Sequence, residues 1–427
     1  MIPPSIGHNP GVERSDDRRR GYAAPVIDPN LRPGSTLRDH NRARLLAAVD
    51  DAHGSTRADL GGRTGLARST VTDLVAELLA GGLLVESGSG SGPTSGSDGV
   101  EAPARRAGRP SHRLRRPADL SLAIGIDFGH SHCRTGLIDS RGRVTAVRDL
   151  ALDVDSSPAH ALAEARRMVT SLLEGAGTDR DRVVGAAIGL PAPVDVERGT
   201  VGPGNVLPQW VERRPAVELQ RALGLPVLVE NDANLGVLGE IAFGAAIGHA
   251  DVVYVKAATG IGAGIVLGGR LHRGVSGRAG EIGHVPVDIT GAVCRCGNRG
   301  CLETVAATTQ VIGVLQPAHD APLTMADVAR LCATGDPGAS RVVRDAGRTI
   351  GRVLADMVNS LNPGAVVLGG ELAAAGAPLL DGLEESLERF AQPGVLRDVE
   401  VRLGALGDDA QLVGAGALVL AGARSAT

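Results

Sequence analysis

The chain has 427 residues and a formal net charge of −4, so it is long enough for more than one domain and has no strong overall charge. Its five cysteines are too unevenly spaced for a disulfide framework, no apolar run reaches the roughly 18 residues of a membrane span, and the N-terminus lacks an apolar secretion signal. These features argue against membrane and disulfide-bonded secreted proteins, and they predict a cytoplasmic protein with no membrane partner.

Charge is unevenly distributed along the chain. Residues 1–120 hold 17 arginines and 14 acidic residues, whereas the remainder has a net charge of −7. A mildly basic N-terminal part followed by an acidic remainder is typical of a protein with an N-terminal nucleic-acid-binding module. Residues 1–34 are rich in Pro, Arg, Gly and Asp and lack apolar periodicity, so we predict a disordered N-terminal tail there.

Residues 35–117 have the pattern of a winged helix-turn-helix. LRDHNRARLLAAVDDA predicts a first helix over 37–52, and STRADLGGRTG predicts a short second helix with Ser55 or Thr56 as its N-cap. After a turn at Thr64-Gly65, LARSTVTDLVAELLAGG predicts a third helix that ends at its glycine pair, and LLVES predicts a strand. Helix, helix, turn, helix and strand is the order of a winged helix, although a helical bundle with a polar face fits the same pattern.

Candidate DNA contacts lie in two places. The third helix would enter the major groove with its first turn, which contains Arg68, Ser69, Thr70 and Thr72. Residues 87–110 are rich in Gly and Ser and predict a flexible wing or a plain linker. Within that stretch, Gly108 and Pro110 flank Arg109, a stiff arrangement suited to presenting a guanidinium group to the minor groove.

The body, residues 118–427, contains two similar units. SLAIGIDFGHSHCRTGLID and DVVYVKAATGIGAGIVLGGRL each predict a strand, a tight polar turn and a second strand, about 130 residues apart. Two such turns can hold phosphate oxygens from opposite sides. Because mixed α/β sequence follows each unit, we predict an internal duplication, with the two lobes of an actin/hexokinase-like ATPase fold.

Polar residues follow a buried strand in LPVLVENDANLGVLGE. Glu230, Asn231 and Asp232 stand at the carboxyl end of that strand, where α/β folds bind ligands. Asp232 is a candidate general base toward a substrate hydroxyl, or equally the N-cap of the following helix. Farther along, Glu281 and His284 add short polar side chains suited to the vicinal hydroxyls of a sugar.

Residues 284–303 contain three cysteines within eight positions. His284, Cys294, Cys296 and Cys301 have the spacing His-x9-Cys-x-Cys-x4-Cys, and four nitrogen and sulfur ligands suit tetrahedral zinc. Thiols this close in a cytoplasmic protein are more often metal ligands than disulfides. We therefore predict a structural zinc loop that orients His284 and Glu303 toward the cleft.

The ordered motifs resemble the ROK family (repressors, open reading frames and kinases), in its regulator type with an N-terminal winged helix. The resemblance runs from about residue 37 to the C-terminus. It is carried by LRDHNRARLL, TGLARSTVTDLV, GRP, IGIDFGHSH, GLPAPVD, GNVLPQW, ENDAN, TGIGAGIVLGGRLHRGVSGRAGEIGH, CRCGNRGCLET and NPGAVVLGGEL.

The resemblance implies roles for individual residues. Asp232 would deprotonate the sugar hydroxyl in a kinase, and His284 would bind zinc through one ring nitrogen while it contacts the sugar through the other. The implied sugar contacts are Asn205, Asn231, Asp232, Glu281, His284 and Glu303. The implied nucleotide contacts are Asp127, Gly129 and Ser131 in the first loop, Gly260, Gly262 and Gly264 in the second, and Gly369 and Gly370 beside adenosine.

Two functions remain open at this stage. The first is a sugar-responsive repressor that binds operator DNA as a homodimer or homotetramer and senses a sugar or a sugar phosphate. The second is an active ATP- and Mg²⁺-dependent sugar kinase with an appended DNA module. Asp232 and both glycine loops favour the kinase. The N-terminal module favours the regulator, and so does His130, which replaces a family glycine where phosphates approach.

Overall fold

The computed structural model describes residues 54–80, 84–87, 112–115, 121–178, 180–202 and 206–425, together with residues 41, 45, 48 and 49. The predicted tail over 1–34, most of the predicted helix over 37–52 and the segment 88–111, which contains Arg109, lie outside the described residues.

Two helices and a small sheet precede the body. Helix α1 (Arg57–Thr64) begins at Thr56, whose hydroxyl accepts from Asp59 N–H at 3.2 Å while the Asp59 carboxylate accepts from Thr56 N–H at 2.8 Å. Of the two predicted N-caps, Thr56 is therefore the correct one. Gly65, at φ 68°, ends α1, and α2 (Arg68–Ala80) follows, so the predicted second and third helices are confirmed.

The small sheet packs on these helices. Strand β1 (Val85–Ser87) pairs antiparallel with β2 (Arg113–Arg115), and Ser55 forms a backbone bridge to Leu114 at its edge. One buried cluster joins the helices to the sheet, because apolar side chains recur at helical spacing on α2 and face Leu114. Its members are Leu45, Val49, Leu60, Val71, Leu74, Val75, Leu78, Leu84 and Leu114.

The first half of the body is built on a five-stranded sheet with the order β5-β4-β3-β6-β9. Its elements in chain order are β3 (Leu122–Phe128), β4 (His132–Asp139), β5 (Val144–Ala151), α3 (Pro158–Gly175), β6 (Val183–Leu190), β7 (Val194–Asp195), β8 (Thr200–Val201), α4 (Pro215–Leu223) and β9 (Val227–Asn231). Central strand β3 is buried along its whole length, which explains its continuous apolar run.

The second half is built on another five-stranded sheet, with the order β12-β11-β10-β13-β14. Its elements in chain order are α5 (Asp232–Phe243), β10 (Val252–Ala257), β11 (Ile261–Leu267), β12 (Arg270–Leu271), α6 (Glu303–Ala306), α7 (Thr308–Leu315), α8 (Met325–Ala333), α9 (Pro337–Leu361), β13 (Ala365–Gly369), α10 (Ala377–Phe390), α11 (Pro393–Leu396), β14 (Glu400–Leu403) and α12 (Ala410–Ser425).

The two sheets repeat one topology. In each, two antiparallel hairpin contacts lead into two parallel ones: β5-β4-β3 then β3-β6-β9, and β12-β11-β10 then β10-β13-β14. The two predicted strand–turn–strand units are β3–β4 and β10–β11, so the predicted duplication is confirmed.

Helices α5 and α12 lie where the two sheets meet. One buried core combines Ala123 and Ala187 of the first sheet, Tyr254 and Val367 of the second, and Leu235 of α5. The helices approach closely at glycines, since a Cβ on Gly414 would overlap the Leu235 carbonyl oxygen. In the described part of the chain, no helix is long and apolar enough to cross a membrane.

Candidate functional site

A cavity of about 550 Å³ opens at the carboxyl ends of parallel strands from both sheets. It brings together residues that lie more than 240 positions apart in the sequence. The predicted sugar contacts on its wall are Asn231, Asp232, Glu281, His284 and Glu303. The predicted nucleotide contacts on its wall are Asp127, Gly129, Gly260, Gly262 and Gly370.

Three predicted contacts are not on this wall, and a fourth, Asn205, lies outside the described residues. Ser131 is exposed. A Cβ on Gly264 would overlap the Ala233 carbonyl oxygen, and a Cβ on Gly369 would overlap the Tyr254 hydroxyl. These two glycines therefore allow close packing in the interior, and the structure does not bring them to the cavity.

Asp232 is the first residue of α5 and faces the cavity. The helix N-cap is the preceding Asn231, whose side-chain oxygen accepts from Asn234 N–H at 3.1 Å, so the alternative role predicted for Asp232 is wrong. Both carboxylate oxygens of Asp232 already accept hydrogen bonds. Ala233 N–H donates to Oδ1 at 2.7 Å, and Lys256 Nζ donates to Oδ2 at 2.7 Å.

Lys256, on β10, was missed by the sequence reasoning. Composition alone would have singled it out, because it is the only lysine among 427 residues while the other 43 basic side chains are arginines. Burial by itself would lower its pKa, but the carboxylates of Asp232 and Asp127 raise the pKa above its usual value. Lys256 is therefore a charged ammonium group inside the cavity.

Asp127, near the end of β3, is the second carboxylate beside Lys256. Burial would raise its pKa, but Lys256 and His132 together lower the pKa below its usual value. His132 Nε2 lies 3.7 Å from Asp127 Oδ2, and the His132 ring covers Gly129, where a Cβ would overlap it. Among the described atoms, Asp127 Oδ1 is buried without a hydrogen-bond partner.

Arg295 reaches from the cysteine loop to the turn of the first hairpin. Its Nη1 lies 3.3 Å from His130 Nε2, while His130 Nδ1 lies 2.8 Å from Asp155 Oδ1. Its Nε lies 3.6 Å from Glu303 Oε1. The sequence offered no signal for these contacts, which join segments 165 residues apart.

The His284, Cys294, Cys296 and Cys301 side chains converge, with all four ligand atoms within 4.8 Å of one another. His284 Nδ1 lies 3.5 Å from Cys294 Sγ, and the Sγ atoms of Cys296 and Cys301 are 3.7 Å apart. Tetrahedral zinc with sulfur at about 2.3 Å places two sulfurs roughly 3.8 Å apart, so the cluster has dimensions that can hold such an ion.

The opposite nitrogen of His284 faces the cavity. His284 Nε2 lies 3.7 Å from Glu281 Oε2, on the side away from the thiols. Burial, reinforced by the Asp232 and Glu303 carboxylates, raises the pKa of Glu281 to about 7. The Glu303 carboxylate accepts from Ile261 N–H at 3.4 Å, which ties the start of α6 to the second glycine loop.

A buried ion pair anchors the segment that carries Glu281. Arg273 Nη2 lies 2.7 Å from Glu230 Oε2, and the Glu230 side chain is 2% exposed. Glu230 also accepts from the Asn234 amide at 2.9 Å. The sequence reasoning identified Glu230 but missed its partner Arg273.

Comparison with known proteins gives a consistent result. A model of the ROK family matches residues 123–421. The glucokinase of Halalkalibacterium halodurans is 31% identical over 311 residues, covering 69% of this chain and 94% of the relative. The xylose repressor of Bacillus subtilis is 29% identical over 381 residues, covering 89% of this chain and 94% of the relative.

Two solved structures extend the comparison. A ROK family transcriptional regulator, a homolog of the E. coli MLC protein, has a TM-score of 0.62 and 27% identity, covering 90% of this chain and 96% of its own. A ROK family glucokinase from Streptomyces griseus, in complex with glucose and AMPPNP, has a TM-score of 0.63 and 31% identity, covering 70% of this chain and 99% of its own. The body therefore has the predicted actin/hexokinase-like ATPase fold.

Proposed function

The chain belongs to the ROK family, and from that premise we propose that it is a sugar-responsive repressor that binds operator DNA. One observation carries the proposal. Similarity to the xylose repressor and to the ROK regulator extends over 89% and 90% of the chain and so includes residues before the body, whereas similarity to the glucokinases covers 69% and 70%.

The DNA-binding part of the proposal rests on α1, α2 and the β1–β2 sheet. Two helices joined by a three-residue turn, followed by an antiparallel pair of strands, have the order of a winged helix-turn-helix. Arg68, Ser69 and Thr72 are exposed on the first turn of α2, and Thr70 is half-buried. These side chains suit contacts with base edges and phosphates in the major groove, and Arg109 is proposed as a minor-groove contact.

The effector part rests on the polar atoms of the cavity. Carboxylate and amide oxygens of Asn231, Asp232, Glu281 and Glu303 accept hydrogen bonds from sugar hydroxyls, and Asn205 is proposed as a further contact. We propose that a structural zinc ion on the three thiols and His284 Nδ1 orients this side of the cavity, leaving His284 Nε2 for the sugar. A two-fold operator would be bound by a homodimer or homotetramer.

An active sugar kinase is the second candidate, because Asp232 and the second glycine loop line the same cavity as the proposed sugar contacts. In that function Asp232 would take the proton of the sugar hydroxyl. However, Asp232 is paired with Lys256 and the His132 ring covers Gly129 in the first loop. A coupled assay with ATP and glucose or xylose is expected to show little or no phosphorylation, and a robust rate lost in Asp232→Asn would favour the kinase.

The regulator function is tested with DNA selected from a random duplex library by the full chain. In an anisotropy titration of the selected duplex, xylose or glucose is expected to weaken binding by about 1–3 kcal/mol of coupling energy. Arg68→Ala should remove specific binding, and Arg109→Ala should weaken binding and lower its salt dependence. Arg397→Ala, on the exposed surface of the body, is the matched control.

Two results would contradict the proposal. One is a chain that enriches no sequence from the library. The other is a dissociation constant for DNA that does not change at sugar concentrations that demonstrably raise the melting temperature of the protein.

A further inference from the structure

The only lysine of the chain lines the cavity between the two sheets. Lys256 belongs to β10 of the second sheet, and its ammonium group lies 2.7 Å from Asp232 Oδ2. The Lys256 and Asp232 side chains are only 13% and 10% exposed. Both charged groups have lost most of their hydration. The pair is therefore stable only while the two groups stay in direct contact.

Two carboxylates at the carboxyl ends of strands of the first sheet act on Lys256, Asp232 by direct contact and Asp127 through its charge. Asp127 lies near the end of β3 and Asp232 follows β9, with β6 between these strands. A Cβ added to Gly189 of β6 would lie 3.3 Å from Asp127 Oδ1 and 3.7 Å from the Asp232 Cα, so both aspartates flank this one glycine. Lys256 therefore bonds directly to Asp232 and is attracted by the charge of Asp127, which lies on β3, two strands from β9 in the same sheet.

Composition indicates why this residue is a lysine. Every other basic side chain apart from histidine is an arginine, 43 in all, so arginine is the general cation of this chain. A guanidinium group is planar and broad, whereas an ammonium group is a compact point charge with three donors. A small cation among carboxylate oxygens is what a metal ion such as Mg²⁺ supplies in other proteins.

We propose that Lys256 is the built-in cation of the cleft, occupying the place that a divalent metal ion would need between Asp127 and Asp232, so that the cleft binds its sugar without a metal–nucleotide complex. The inference rests on the proposed effector function and deepens it. The Lys256 ammonium repels a second cation at this position. It also holds the Asp232 carboxylate in an ion pair.

The rest of the cleft agrees with this assignment. Asp127 Oδ1, which has no hydrogen-bond partner among the described atoms, is the atom through which that carboxylate could have contacted a metal, and the carboxylate charge is balanced by Lys256 instead. On the same side, the His132 ring covers Gly129 and the His130 side chain contacts Asp155 and Arg295. The side chains of His130 and His132 therefore lie beside the first glycine loop, on the side from which a phosphate would approach.

The test is a titration with Mn²⁺, a divalent ion that prefers oxygen ligands, on zinc-saturated full-length protein. Free Mn²⁺ is measured by electron paramagnetic resonance for wild type, Lys256→Met and the double variant Lys256→Met/Asp232→Asn. We expect Lys256→Met to gain one site that binds Mn²⁺ roughly tenfold or more tightly than wild type, because a nearby positive charge has been removed. The double variant should lose that site.

Two outcomes overturn the proposal. Either wild type and Lys256→Met bind Mn²⁺ equally, or Lys256→Met gains a site that the Asp232→Asn change does not remove. Melting curves show whether each variant is folded. Lys256→Met alone leaves buried carboxylates without a compensating charge, so we expect the double variant Lys256→Met/Asp232→Asn to be more stable than this single variant.

A second measurement needs no variant. Protein grown with ¹³C-labelled lysine contains one labelled side chain, so it has a single Cε resonance. In wild type, millimolar Mn²⁺ with AMPPNP should leave this resonance sharp, and strong paramagnetic broadening at low metal concentration would refute the proposal. Neither measurement uses DNA or sugar, so a failure of the regulator function and a failure of this inference are distinguishable.

Discussion

Cys296 is the half-exposed thiol of the cluster formed by His284, Cys294, Cys296 and Cys301, and its removal tests the proposed zinc site at the scale of one residue. The wild type should contain about one zinc ion per chain, and Cys296→Ala should lose it because a structural tetrahedral site needs all four ligands. Loss of the ion should loosen the loop that ends at Glu303 and lower the melting temperature.

Elemental analysis and a melting curve measure both effects. Cys332→Ala is the control, since Cys332 is buried in α8 and belongs to the second-half core. It should keep its zinc. A folded wild type that contains no zinc after expression in zinc-supplemented medium would show that the cluster does not hold this metal.

At the scale of elements, replacing either of two glycines of α1 with alanine should change the stability of the helix in opposite directions. Gly62 lies within the helix and Gly65 ends it. Gly62 is an exposed helical residue, and no atom of the described residues lies within 4 Å of an added Cβ, so Gly62→Ala should stabilise α1 by about 0.5–1 kcal/mol. Gly65 has a φ of 68°, so Gly65→Ala should destabilise the same helix by about 1–2 kcal/mol.

Hydrogen exchange of the α1 amides in the full chain measures both changes. Slower exchange in Gly62→Ala and faster exchange in Gly65→Ala is the expected pair of results. Equal effects from the two substitutions would mean that the turn after α1 does not need the left-handed conformation.

The N-terminus of α8 predicts a pH effect. Thr324 and Asp327 form a capping box, and hydrogen bonds from the Thr324 side chain and backbone lower the pKa of Asp327 to about 2 from its usual 3.8. Because the folded-state pKa is the lower one, the box stabilises α8 above about pH 4, and this contribution disappears as the pH falls toward 2. In Thr324→Ala, a carboxyl NMR titration should find the Asp327 midpoint closer to 3.8, and an unchanged midpoint would assign the shift to another group.

At the scale of the whole molecule, the crossing of α5 and α12 holds the two halves together. An added Cβ on Gly414 would overlap the Leu235 carbonyl oxygen, so Gly414→Ala must push the helices apart. We expect a loss of about 1–3 kcal/mol in the free energy of unfolding and a lower melting temperature. Gly422→Ala in the same helix is the matched control, because within the described part of the chain no atom lies within 4 Å of its added Cβ. Equal melting temperatures for these two variants would contradict the tight crossing.

Much of the architecture follows from local sequence pattern. The β3–β4 and β10–β11 hairpins, helices α1 and α2, and the convergence of His284 with three cysteines were all predicted from short stretches. Each of these features depends on residues close together in the chain, where apolar periodicity, turn residues and ligand spacing restrict the backbone to few conformations.

The tertiary structure decided the contacts on which the cleft depends. The sequence left Asp232 with two roles, and only the packed structure assigns the N-cap to Asn231 and pairs Asp232 with Lys256. The contact of Arg295 with His130, and the burial of Gly264 and Gly369 away from the cavity, are of the same kind. These features depend on how two separately formed sheets meet, and local patterns carry no information about that meeting because it is set by the packing of distant side chains against one another.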